Sequence, residues 1–326
     1  MSTYYGTYGQ KVQYLASDPS DPQTGQVWYN STSATLKVRG FTTTNAWSSG
    51  GNINTVRSYV AGFGLQDAAV MAGGYTGPAY ANTENYNGTS WTASGAMNNA
   101  LYGRGGAGTQ TTGLCYGGNP GSSTATEKYN GSTWTTSGAM GTGVYYVASF
   151  GTQTAAIAAG GTGPTGTATQ SFNGSTWTTL PGNMNTGKNY AGGAGTNTAG
   201  VVFGGVAVNA TETFNGSTWT NSSPMIRAAA SPGSTWGMAS FGIQTLAVAA
   251  TGGNSYVNTA EQFNGSSWTS LATVPYGRQY GEGAGNPGSQ AIIFGGDNGG
   301  TTPDAGIVAT AKWNGAYAAT QTVTVT

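Results

Sequence analysis

The 326-residue chain has no histidine, which removes the commonest general base and metal ligand. It has one cysteine, Cys115, so no disulfide can form within a single chain; in an apolar stretch such a residue is expected to be a small buried core residue. Charged residues make up only 6%, ten basic against ten acidic, where ordinary soluble domains carry about 25%. Without a basic excess there is no electrostatic footprint for nucleic acid. A surface built from Thr, Ser, Asn, Gln and Gly with zero net charge favours association, as in a homo-oligomer or a multi-copy assembly. No apolar run approaches the roughly 18 residues of a membrane-crossing helix, so membrane insertion is not expected.

What is present is a repeat of about 43 residues. Glycine pairs begin at Gly73, Gly117, Gly160, Gly204, Gly252 and Gly295. Asn-Gly pairs begin at Asn87, Asn130, Asn173, Asn215, Asn264 and Asn314, each preceded by an aromatic residue. Four residues after the Asn stands Trp91, Trp134, Trp177, Trp219 or Trp268, but Ala318 in the sixth copy. Short apolar runs that stop at the glycines, such as AAVMAGG and AIIFGG, read as buried strands. Asn-Gly is a hairpin signal because both residues tolerate positive φ. Four strands per copy and six copies predict an all-β, six-bladed propeller, since one blade cannot bury its faces alone.

Trp47 stands 17 residues before Gly64, the same interval that separates Trp91 from Gly108. It is therefore in register as the last strand of a blade that has no first three strands. The segment around 41–47 is expected to complete blade six by pairing with residues 308–315. This divides the chain into an arm, 1–40, with a hairpin around Asn30 to Ser33, and a propeller, 41–326. The tail TQTVTVT alternates like a strand and is a further or competing edge partner.

The diglycine after an apolar strand, followed by a spaced aromatic and Trp, resembles the kelch family over about 270 residues. It departs from that family in its short Asn-Gly turn. A galactose-oxidase copper site needs histidines that are absent here. A sialidase site needs an arginine cluster, whereas the position seven residues before each turn glycine reads Arg57, Leu101, Val144, Lys188, Thr235, Arg278. No enzymatic activity and no cofactor are expected.

Glu84, Glu127, Glu212 and Glu261 share one third-strand position, with Gln170 and Ala311 in the other copies. Their recurrence points to hydrogen bonding between neighbouring strands or blades. Asp297 and Asp304 lie in an oxygen-rich loop whose spacing fits no calcium loop, so no metal is expected. Hairpin chemistry accounts for the five Asn-Gly-Ser/Thr sequons. In an antiparallel blade the short, near-identical turns share one face. The other face carries the varied loops, including Tyr75, Tyr80, Arg227, Trp236, Tyr256, Asp297 and Asp304, and is the expected ligand-binding face. Aromatic rings with polar tips there suit sugars.

DPSDPQTGQVWYNSTSATLKVRGF (18–41) and NAWSSGGNINTVR (45–57), running into the repeats, resemble kelch-like propellers of tailed, especially marine, bacteriophages. The resemblance implies a virion structural protein. The expectation is a tail fibre or appendage adhesin on the outside of the particle, docked to other virion proteins through residues 1–40 and binding host-surface glycan or receptor. MSTYYGTYGQK has no basic-then-apolar signal region, in keeping with assembly in the host cytoplasm. The alternatives are a capsid-decoration or tail-spacer subunit with no ligand, and a cellular kelch adaptor for protein interaction.

Overall fold

A computed structural model describes residues 12–22, 26–41, 45–162, 166–227, 235–253, 255–286, 290–299, 307–315 and 318–322. Every regular element among them is a β-strand, in seven four-stranded sheets that belong to two units.

The first unit takes Met1–Asn45 together with Gly315–Thr326. Strand β1 (Gln13–Leu15) runs parallel to β2 (Val27–Asn30), which forms a hairpin with β3 (Thr35–Phe41). Asn30 Oδ1 holds the turn by accepting from the amides of Thr32 and Ser33. Asp18 ties the sheet together, accepting from Lys37 Nζ, Asn30 Nδ2 and Trp28 Nε1. The hydrogen bond from Lys37 leads in pulling its carboxyl down to about 2. The tail finds its partner here, because β28 (Ala318–Thr322) pairs with β3, Ala318 opposite Phe41. The boundary thus lies after Asn45 rather than after residue 40, Phe41 belongs to the first unit, and the C-terminal residues join the N-terminal sheet.

The second unit, Ala46–Asn314, holds the six repeats. Blade one is β5 (Ala61–Leu65), β6 (Ala68–Ala72), β7 (Thr83–Tyr86) and β8 (Trp91–Ser94). Blade two is β9 (Gly105–Thr109), β10 (Thr112–Tyr116), β11 (Thr126–Tyr129) and β12 (Trp134–Thr136). Blade three is β13 (Ala148–Thr152), β14 (Ala155–Ala159), β15 (Thr169–Phe172) and β16 (Trp177–Thr179). Blade four is β17 (Gly192–Thr196), β18 (Ala199–Phe203), β19 (Thr211–Phe214) and β20 (Trp219–Ser222). Blade five is β21 (Ala239–Ile243), β22 (Leu246–Ala250), β23 (Ala260–Phe263) and β24 (Trp268–Ser270). Blade six is β25 (Glu282–Asn286), β26 (Gln290–Phe294), β27 (Ala311–Asn314) and, as its outer strand, β4 (Ala46–Ser49), with Trp47 opposite Trp313. The innermost strands adjoin in the cycle β5, β9, β13, β17, β21, β25 and back to β5, so the ring is closed.

Three side-chain bonds recur at the seams. Each Trp indole donates to a Thr hydroxyl of the preceding blade, as Trp134 to Thr83 and Trp91 to Thr310. In blade five that place is Ala260, and Trp47 turns instead to the carbonyl of Ala272. A turn glutamine reaches back to two backbone carbonyls, as Gln110 does to Ala69 and Tyr86. The repeated acid clamps the strand-to-strand link between blades: Glu84 accepts from the amides of Asn54 and Thr55, and Glu127 from that of Asn98.

The glycine pair earns its place by close approach. A Cβ on Gly117 would lie 2.4 Å from the Val144 carbonyl of the next blade. In blade five the register differs from the sequence reading. Thr251, at φ 62, occupies the first place, and Gly252 the second. The Asn-Gly turns also differ from expectation: only the glycine is left-handed, as Gly88 at φ 91. Asn87 serves through its side chain, whose Oδ1 accepts from the amides of Thr89 and Ser90.

The inner wall alternates. Blades one, three and five carry Phe63, Phe150 and Phe241 on the first strand and Ala72, Ala159 and Ala250 at the end of the second. Blades two, four and six invert this, with Ala107, Ala194 and Ala284 on the first strand and Tyr116, Phe203 and Phe294 on the second. Each arrangement supplies one ring to the next seam, where it meets a Trp edge-on: Phe63 against Trp134, Tyr116 against Trp177, Phe203 against Trp268, Phe294 against Trp91. Rings of this size are a large apolar contribution to each seam.

Candidate functional site at the mouth of the central channel

Five residues before each turn glycine stand Tyr59, Gly103, Tyr146, Tyr190, Gly237 and Tyr280. All six have left-handed backbone, φ between 54 and 62. Their amides and carbonyls form a closed circle: Gly103 N donates to Tyr59 O, Tyr146 to Gly103, Tyr190 to Tyr146, Gly237 to Tyr190, Tyr280 to Gly237, and Tyr59 to Tyr280. Left-handed tyrosine costs about 1–3 kcal/mol per residue, so four of them at one place are maintained strain. The two glycines are required by their neighbours. A Cβ on Gly103 would sit 2.5 Å from the Tyr146 ring, and one on Gly237 would sit 2.9 Å from the Tyr280 ring.

The rings gather over the channel. Tyr59 stacks on Tyr280 at 3.9 Å and Tyr146 on Tyr190 at 3.8 Å. The two stacks approach at 5.5 Å (Tyr59 to Tyr146) and 5.6 Å (Tyr190 to Tyr280). Where glycine replaces tyrosine, the preceding residue supplies a ring. Tyr102 meets Tyr59 at 5.8 Å, and Trp236 meets Tyr280 at 5.2 Å. All six rings are half-buried. Burial first, then the neighbouring hydroxyls, raises the phenols of Tyr59 and Tyr146, so they stay protonated hydrogen-bond donors.

Of the residues expected on this face, the structure brings Tyr75 and Trp236 into the cluster, Tyr75 lying 4.8 Å from Tyr102. Tyr80 accepts a hydrogen bond from Thr76 within its own loop. Tyr256 covers Gly299, and Asp297 caps the Gly299 amide at 2.8 Å. None of these three makes a ring contact with the cluster. Asp304 lies outside the described residues. Arg227 is a correction. Its guanidinium is buried against Glu261 Oε1 at 2.9 Å and bonds the carbonyls of Ala249 and Thr259, so it clamps blade five rather than facing a ligand. The long link 221–237 looked like a recognition loop, but its cation substitutes for those that blades one, two and four place nearer the first strand.

Those cations are likewise consumed. Arg57 pairs with Glu84 at 3.1 Å, Arg104 with Glu127 at 2.9 Å, and Lys188 with Glu212. Burial works to raise the Glu127 carboxyl, and the bond and charge of Arg104 outweigh it. Blade six lacks the acid because Ala311 stands there, and Pro275 occupies the place whose amide would have donated to it. Arg278 is left bonding the Gly295 carbonyl at 2.9 Å with no carboxylate among the described residues, and burial lowers it to about 10. No three His, Cys, Asp or Glu residues come together as a metal site among the described residues.

No protein-family model matches the chain, and no curated protein matches it. Solved structures do match by fold. One titled "Structure of YjhT" superposes with a TM-score of 0.62 at 13% identity, covering 79% of this chain and 95% of that one. The chain folds as a kelch-like β-propeller. At that identity the likeness carries the propeller architecture and nothing of the aromatic mouth.

The row seven residues before the turn glycine carries the clamp cations Arg57 and Lys188, whereas the mouth tyrosines stand two places further on. The row five residues before it reads Tyr, Gly, Tyr, Tyr, Gly, Tyr.

Proposed function

We propose that this propeller is a non-catalytic recognition module that binds glycan through the aromatic mouth on its variable-loop face. Its setting would be the exterior of a tailed-phage particle, as a fibre or appendage in contact with the host surface. The observation that carries the reading is the cluster of six half-buried rings with polar tips, four of them held in strained backbone, at the centre of a face whose cations are all committed to internal bonds. Such rings stack on the apolar faces of sugars while their hydroxyls bond the sugar's own. The first unit serves as the attachment segment. Its edge strand β1 exposes Tyr14 at 75% and the neighbouring Val12 at 49%.

The backbone supplies a clean variant. Tyr190→Gly and Tyr59→Gly remove a ring at a position where blades two and five already use glycine. In a glycan array and titration, wild type is expected to bind at least one host-surface glycan, with each variant weakened at least tenfold. Binding that is unchanged in both variants would sink the site. Immunogold microscopy of particles tests the setting: label at tail or fibre tips supports it, label over the capsid replaces it with a decoration subunit, and no label removes the virion assignment.

A further inference from the structure

Beneath the ring of left-handed residues lies a cavity of about 50 Å³ lined by Tyr59, Tyr146, Tyr190 and Tyr280. A second, of about 110 Å³, continues along the channel between the glycine-rich first strands. Among the described residues, Glu282 is the one that borders both. At its position the other blades carry Ala61, Gly105, Ala148, Gly192 and Ala239, so the acid is peculiar to blade six. Among the described residues its only hydrogen bond is from the amide of Gly283, at 3.3 Å. Arg104 borders the upper cavity, but its guanidinium is tied to Glu127 Oε1 and to the carbonyls of Cys115 and Ala125. Glu282 is half-buried on the channel wall, and a carboxylate partly withdrawn from water is stabilised by a countercharge. A perturbed acid in a cleft is a functional-site candidate.

We propose that the channel binds an organic ammonium cation, its charge facing the Glu282 carboxylate and its alkyl groups lying against the tyrosine rings. Rings and carboxylate are the two elements that recognise such cations, the first through the ring quadrupole and the second by charge. This ligand class goes beyond the glycan reading and does not rest on it. It occupies the inside of the mouth and needs an acid that a neutral sugar does not.

The site carries its own pH signature. Burial pushes the Glu282 carboxyl up to about 8, partly opposed by the Gly283 amide, so it becomes an anion only in mildly basic solution. The groups around it are the four tyrosines, Arg104, and on β10 Cys115 and Tyr116, which feel its charge. Phe294 and Gly62, which also pack there, do not titrate. Burial raises Cys115 to about 12 and lifts the phenols of Tyr59, Tyr116, Tyr146, Tyr190 and Tyr280 away from neutrality, leaving Glu282 as the group that changes charge near 8.

Calorimetric titration with choline and with tetramethylammonium, at pH 6 and pH 9, tests the proposal. Binding is expected to be at least tenfold tighter at pH 9. Glu282→Gly, the residue blades two and four already use, should lose at least tenfold at pH 9, and Glu282→Gln should do the same. The neutral isostere 3,3-dimethylbutanol should bind no better at pH 9 than at pH 6. Absence of choline binding at pH 9, equal binding by Glu282→Gly, or displacement of choline by equimolar potassium would each overturn the assignment. Glu282→Gly should leave glycan binding intact, so the two readings fail separately.

Discussion

Gln66 reaches from the first blade to the last, its Nε2 2.7 Å from the carbonyl oxygen of Trp313 and 3.0 Å from that of Ala291. These residues lie at opposite ends of the repeat array, so the bond fastens the seam where the ring could open. Gln66→Ala leaves two buried carbonyls without a donor and is expected to cost about 1–3 kcal/mol. Gln110→Ala, the same chemistry within the array, should cost a similar amount in equilibrium urea unfolding. A loss near zero for Gln66→Ala would mean the seam is held by the Trp91–Thr310 bond and strand pairing alone.

The clamp pairs offer a test in both directions. Glu127→Gln leaves Arg104 buried beside a neutral group and is expected to cost about 3–5 kcal/mol, as for breaking one partner of a buried pair. In blade six, where burial of Arg278 is already endured without an acid, Ala311→Glu should stabilise by about 1–3 kcal/mol, the range of a charged hydrogen bond. Thermal unfolding of the two variants should move in opposite directions. A lower Tm for Ala311→Glu would show that the missing Pro275 amide, rather than the missing acid, decides that site.

Stability should depend on pH through Glu282 with a definite sign. Its folded value, about 8, lies above the ordinary glutamate value of 4.5, so the folded state holds a proton that the unfolded state releases. The associated stability is present below about 4.5 and is lost as pH rises through about 8. Relative to wild type, Glu282→Gly should therefore gain stability steadily from pH 5 to pH 8.5 and then level off. Urea melts of both proteins across that interval measure the difference, and a flat difference would remove the titration from this carboxyl.

Cys115 is fully buried in β10, and burial raises its thiol to about 12. Because the thiolate is the reactive form, the folded protein should resist alkylation by iodoacetamide at pH 8 and react in denaturant. Rapid labelling without denaturant would contradict its placement.

Much of this molecule is legible before any coordinates. The repeat, the six blades and the register of Trp47 follow from spacing, because each blade must present the same residues to its neighbours. The recurring glutamates read as bonds between strands or blades, and they are. Three things were not legible. The strand that Ala318–Thr322 would choose depends on which edge is free, and alternation says nothing about that. Arg227 is far in sequence from the cation places of the other blades, so its role in blade five shows only when Glu261 is seen beside it. Glu282 was visible in EGAGN against AGFG and GGAG, yet what singles it out is the channel on both sides of it, which is a property of the closed ring.

The inner wall and the mouth obey different symmetries. Alternation of Phe63, Phe150 and Phe241 with Ala107, Ala194 and Ala284 repeats every two blades, a threefold order. The row Tyr59, Gly103, Tyr146, Tyr190, Gly237, Tyr280 repeats every three, a twofold order. The wall therefore presents three equivalent pairs of blades and the mouth two equivalent halves, so a molecule at the mouth would meet two matching sides, the Tyr59–Tyr280 stack and the Tyr146–Tyr190 stack.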